Sequence, residues 1–102
     1  MITPSNGRIV WFTPARGANA IERISQHDPL VPLAAMVCHV WGDRMVNLDV
    51  VDSDGRHHAI TSVALLQDDD PKPEDGRFAQ WMPYQKGQAA KTEALEAEKS
   101  KS

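Results

Sequence analysis

The sequence predicts a mainly β fold: a small SH3-like five-stranded barrel with a long first connection and a weakly helical or disordered C-terminal tail. Three observations carry that expectation. Residues 45–52 alternate, with Val46, Leu48 and Val50 on one side and Asn47 and Asp49 on the other, the period of a half-buried strand. Asp52-Ser53-Asp54-Gly55 is a turn by its chemistry, since glycine accepts positive φ and aspartate side chains bond nearby amides. Finally, the apolar runs are five and short, and only the first connection is long.

The elements follow in order. Arg8-Ile9-Val10-Trp11-Phe12-Thr13 is rich in β-branched and aromatic residues, opened by Asn6-Gly7 and closed by Pro14. Residues 14–32 form an excursion. Ile21 and Ile24 allow a turn or two of helix between Ala18 and Gln26, but Pro29 and Pro32 stop a long one. Leu33 to Trp41 is the second strand, ended by Gly42-Asp43-Arg44. Met45 to Asp52 and His58 to Leu66 flank Asp54-Gly55 and should pair as an antiparallel hairpin. Gln67 to Gly76 is an acidic loop, and Arg77 to Tyr84 reads as a short closing strand. An OB-like barrel would place a helix between its third and fourth strands, and none fits between Val50 and Ile60. The 102 residues suit one domain. Its expected bounds are residues 1–84, followed by a charged Ala/Glu/Lys tail over 85–102 in which Leu95 is the one large apolar residue.

Charge narrows the function classes. The net charge is −3, and it is unevenly distributed. Residues 1–66 hold five basic and six acidic groups, residues 67–77 two and five, and residues 78–102 four and three. No basic stripe exists to displace counterions from phosphates, so nucleic acid is a disfavoured partner. No apolar run approaches the ~18 residues of a membrane span, and Met1 to Gly7 lacks the basic and apolar regions of a signal peptide. The single cysteine, Cys38, fits a reducing compartment, and a cytoplasmic protein is expected.

No catalytic motif appears, and the chain is read as a non-enzyme with no cofactor. His57 and His58 are strand neighbours whose side chains diverge, and no His or Cys pair has zinc-ligand spacing. Cys38 and His39 diverge likewise, so Cys38 is expected to be buried and inert. The turn at Asp52 resembles the start of a calcium loop, but Val63 stands where the bidentate ligand belongs. Asp68-Asp69-Asp70 reads as a solvated loop.

The aromatics are the informative residues. Trp11, Trp41, Trp81 and Tyr84 either build the barrel core and seal its mouth, or one or two of them receive a planar ligand or a partner's side chain. The candidate contact residues are Trp41, Arg44, Asn47, Thr61, Ser62 and Trp81. With Arg56 and His57 nearby, such a set would hold a base and a phosphate together, or an anchor from another protein. In so small a barrel a ligand site falls more readily between subunits, and edge strands of a short open barrel invite pairing with another copy. Homo-oligomerisation is expected on those grounds.

Pro32 to Val37, Val40-Trp41-Gly42-Asp43, Val46-Asn47-Leu48-Asp49-Val50, Thr61-Ser62-Val63 and Trp81-Met82-Pro83 together resemble a group of short proteins from tailed phages and prophages. Ala79 stands where members commonly carry a second tryptophan. The resemblance implies a phage-encoded protein that acts by binding, in the host cytoplasm or in the virion. The expected partner is a host, defence or phage protein, or a small signalling nucleotide, with no membrane involved. The alternative role is that of a minor virion or assembly component.

Overall fold

A computed structural model describes residues 1–15, 24–68, 70–73 and 76–88. Its strands are β1 (Ile9–Thr13), β2 (Leu33–Gly42), β3 (Met45–Val51), β4 (His57–Leu66) and β5 (Phe78–Gln80). They close into a barrel in sequence order, which gives the SH3-like small fold read from the pattern. Neighbouring strands are antiparallel except β4 and β5, and β5 closes the cylinder by pairing antiparallel with β1.

Alternation decides what enters the core. Val10 and Phe12 of β1, Leu33, Ala35 and Val37 of β2, and Val46, Leu48 and Val50 of β3 are all buried. Ile60, Val63 and Leu65 of β4 complete the packing with Ala79 and Trp81. Between Ile60 and Val63 the period of two breaks, because Thr61 and Ser62 together stand opposite Asn47. This bulge holds both residues out and returns Val63 and Leu65 to the core. Two further register shifts lie in β2, between Val37 and His39 and between Val40 and Gly42.

Asp52 organises the β3–β4 hairpin. Its Oδ1 accepts the Asp54 and Arg56 amides at 2.9 and 3.0 Å, and its Oδ2 accepts the Ser25 amide and His58 Nε2 at 3.3 and 2.7 Å. The excursion is thereby tied to the turn, helped by Ser53 N–H donating to the Ser25 carbonyl. Gly55, at φ +85°, supplies the left-handed residue of the turn.

Gln67 is the corresponding hub at the other side of the barrel. Its buried amide donates to the carbonyls of Ile2 and Asp43 at 2.7 and 2.8 Å, and accepts from Ile2 N–H and Trp81 Nε1 at 3.1 and 3.2 Å.

Four expectations need correction or completion. The closing strand ends at Gln80 rather than Tyr84, because Pro83 favours the first helical position and residues 83–88 are helical. Gln85 Oε1 accepts the Met82 amide that opens this helix, and its Nε2 donates to the Ile9 carbonyl. This helix extends past residue 84. Cys38 is exposed, not buried: Leu33, Ala35 and Val37 take the inward positions of β2, so Cys38 falls on the outside. The acidic loop is not merely solvated, since Asp70 Oδ2 accepts Arg44 Nε and the Gln67 amide, both at 2.9 Å. The barrel is also closed by β5, so an open barrel edge gives no ground for pairing with another copy. The expected helical turn falls mostly on residues outside the described ones, and residues 24–26 are not helical. Residues 89–102 also lie outside them.

Candidate functional site

The outer face of β2, β3 and β4 gathers four of the six candidate residues. Asn47 lies at its centre, projected outward by the alternation of β3. Its Oδ1 accepts the Trp41 indole N–H at 2.9 Å and the Ser62 amide at 2.8 Å. Ser62 sits in the left-handed region at φ +54°, a conformation that costs a residue with a Cβ about 1–2 kcal/mol. The bond to Asn47 holds it there. Thr61 precedes it, and its carbonyl accepts Arg77 Nη2 at 2.8 Å.

Trp41 is 62% exposed and yet fixed. Asn47 pins its nitrogen, and the His39 ring meets it edge-on with centroids 4.4 Å apart. Around the indole, Asn47 Nδ2 and the Thr61 and Ser62 hydroxyls bond to nothing else among the described residues. The surface thus combines a broad aromatic area with nearby hydrogen-bonding groups.

The two remaining candidates lie elsewhere. Arg44, on the β2–β3 turn, gives its Nε to Asp70 and lays Nη1 3.7 Å from the Met1 sulfur. The Asp70 carboxyl is held below the ordinary aspartate range, first by the Gln67 amide and then by Arg44. Trp81 is 2% exposed: its nitrogen bonds Gln67 and its ring carries the Arg8 guanidinium 5.5 Å from the centroid. It is a core residue. Of the four aromatics read as core or contact residues, Trp81 is buried, Trp11 is half-buried, and Trp41 and Tyr84 stand out in solvent.

Below the Trp41 surface, the same outer face carries a shallow apolar depression of about 200 Å3. It is lined by Ile9, Ala34, Met36 and Val51, with Asp49 and His57 at its rim. His57 Nδ1 bonds Asp49 at 3.0 Å, while His58, on the other side of β4, bonds Asp52. The two histidines diverge as strand neighbours must. No group of three or more His, Cys, Asp or Glu side chains among the described residues is placed to hold a metal ion. No helix among them is long and apolar enough to cross a membrane.

His39 was missed as a partner of Trp41. The signal was available in the spacing, since residues two apart on a strand share a face. The depression had no comparable sequence signal, because it depends on which rows of three strands come into line. No family model, curated protein or solved structure matches the chain.

Proposed function

We propose that this protein is a phage-encoded, non-enzymatic binding protein that docks on a host or phage protein through the Trp41 surface and so antagonises or redirects it in the host cytoplasm. One observation carries the reading: a tryptophan 62% exposed and held in a single orientation by Asn47 and His39. Free tryptophan surface is costly to expose, and a partner that covers it gains apolar area. Because Asn47 has already fixed the ring, little side-chain entropy is lost on docking. The phage origin rests on the motif resemblance alone.

A protein partner fits better than a nucleotide. The arginine expected to meet a phosphate, Arg44, is neutralised by Asp70, and His57 is engaged by Asp49. The surface around Trp41 offers neutral donors and acceptors, which suit a partner's backbone and side chains.

The test compares wild type with Trp41→Ala, each purified from infected or lysogenic cells and examined by native mass spectrometry. The expected result is a protein partner retained by wild type and reduced at least about tenfold in Trp41→Ala, with both proteins equally folded by circular dichroism. Equal retention by the two proteins would remove the Trp41 surface from the function. A retained small-molecule mass would instead establish the nucleotide role, and recovery of the chain in purified particles would establish a virion role.

A further inference from the structure

Arg77 is a cation that the fold fixes in place without neutralising. β5 pairs in parallel with β4 only from Phe78 and Ala64 onward, so the ladder stops short of the Thr61 carbonyl. Arg77, the residue just before β5, satisfies that carbonyl with its side chain, Nη2 donating at 2.8 Å. The bond holds a half-buried arginine beside the Thr61–Ser62 bulge. A guanidinium has five N–H donors in a rigid fork, and the others of Arg77 bond nothing among the described residues. The ion pairs among those residues are all made by other groups. A charge held partly out of water with open donors favours an anionic acceptor.

One peptide group joins this guanidinium to the Trp41 surface. The carbonyl of the Thr61–Ser62 peptide accepts Arg77, and its N–H donates to Asn47 Oδ1, the oxygen that also accepts the Trp41 indole N–H. The peptide is planar and trans, so its two polar ends point opposite ways, one to Arg77 and one to Asn47. The three bonds, at 2.8, 2.8 and 2.9 Å, keep Arg77 Nη2 within about 11 Å of the Trp41 nitrogen. About three residues of extended chain span that distance. Tryptophan and arginine are the residue types that dominate binding surfaces. Here both are held in position before a partner arrives, which lowers the ordering cost of docking.

We propose that the partner docks an acidic segment on this surface: an aromatic or large apolar side chain covers Trp41, and an Asp or Glu within about three residues of it pairs with Arg77. The inference rests on the docking role of Trp41 given above and names the chemistry of what docks. A carboxylate fits better than a phosphate because Arg77 stands alone. Lys72 lies over the Phe78 ring, Arg8 over Trp81, and Arg44 is held by Asp70. One planar fork matches one carboxylate in charge and geometry, whereas the second charge of a phosphate would go unpaired. Between the two anchors, Asn47 Nδ2 and the Thr61 and Ser62 hydroxyls are left for the backbone of the segment.

A random peptide library selected on the full-length chain, with Trp41→Ala as the counter-selection, tests the proposal. The expected binders carry an acid within about three residues of an aromatic or large apolar residue. A synthetic binder and its amide counterpart, Asp→Asn or Glu→Gln, are then titrated calorimetrically against wild type, Arg77→Gln and Arg77→Lys. Wild type should prefer the acid form about fivefold, as a partly exposed charge pair does, and the preference should fade with added salt. Arg77→Gln should bind both forms alike, and Arg77→Lys should keep a smaller preference. Thermal melts report whether the variants fold; should Arg77→Gln fail to, the salt dependence in wild type and the Arg77→Lys titration still decide. Trp41-dependent binders without an acid, or an acid preference that survives Arg77→Gln, overturn the proposal and leave the Trp41 surface standing. Binders indifferent to Trp41→Ala remove that surface and the proposal with it. A library that yields no binder also overturns the proposal, while native mass spectrometry of Trp41→Ala reads the docking surface separately.

Discussion

Gln67 is the most demanding test of the fold. Its side-chain amide is buried and uses its full capacity, two donated and two accepted hydrogen bonds, to join the Ile2 backbone, the Asp43 carbonyl and the Trp81 nitrogen. Gln67→Leu keeps the volume and removes all four. At about 1 kcal/mol net for each neutral bond, with the indole N–H left in the core, the loss should be roughly 3–5 kcal/mol. That is a large part of the ~5–15 kcal/mol that holds a domain together. Gln67→Glu is sharper still. It retains the acceptor for Ile2 and Trp81 but turns a second oxygen towards the carbonyls of Ile2 and Asp43. Only the protonated acid can donate to one of them, so its folded-state pKa rises above the unfolded value of about 4.3. Its contribution is therefore present below that value and lost as pH rises through the raised pKa. Urea unfolding followed by tryptophan fluorescence, with wild type as reference at each pH, reads both effects. A loss under about 1 kcal/mol for Gln67→Leu, or a Gln67→Glu penalty that shrinks with rising pH, would refute the account.

Other consequences are more local. Trp81→Ala should destabilise by about 3–5 kcal/mol in the same assay, as deletion of a large core side chain does, whereas Trp41→Ala should cost no more than about 1 kcal/mol. Ser62→Gly should raise the melting temperature by relieving its left-handed φ, and Asn47→Ala should lower it by removing the acceptor that holds Ser62 and Trp41. Acid should unfold the protein from the hairpin end. His58, then the Arg56, Asp54 and Ser25 amides against the opposing effect of burial, lower the Asp52 carboxyl, and Ser25 and His27 lower that of Asp54. Their stabilisation is complete above the ordinary aspartate range and disappears as pH falls through the lowered values, so Asp52→Asn should flatten the acid limb of a pH titration of stability.

The barrel was legible because its instructions are local. Val46, Leu48 and Val50 mark their own inward face, and Asp52 and Gly55 write the turn into four adjacent residues. The long excursion showed as a stretch with no sustained period. Met82-Pro83-Tyr84-Gln85 carried a helix-start signal, a proline at the first position and a glutamine able to cap, which the aromatic content of Trp81 and Tyr84 obscured. The site was harder. Trp41, Asn47, Thr61 and Ser62 were chosen for their chemistry, and a register shift brought them together. Arg44 and Trp81 were drawn away by Asp70 and Gln67, partners 26 and 14 residues distant in the chain. Sequence pattern reports which face a residue takes, not which distant residue claims its charge or its nitrogen. Cys38 illustrates the limit differently: residue type favoured burial, and strand parity decided against it.

The bulge at Thr61 and Ser62 also sets what the gene can and cannot change. Ser62 fills no space in the core, but its left-handed φ favours glycine, asparagine and other residues that adopt that conformation cheaply. Removing the residue altogether is another matter. A deletion there would leave Ile60, Thr61, Val63, Ala64 and Leu65 in strict alternation with Val63 and Leu65 still facing inward, so the core would keep its face and only the bulge would be lost. Ser62 thus serves the outer face, where its amide bonds Asn47, rather than the core. Related sequences should lose this one residue more readily than any residue inside the alternating runs on either side, where a deletion would turn the following side chains to the wrong face.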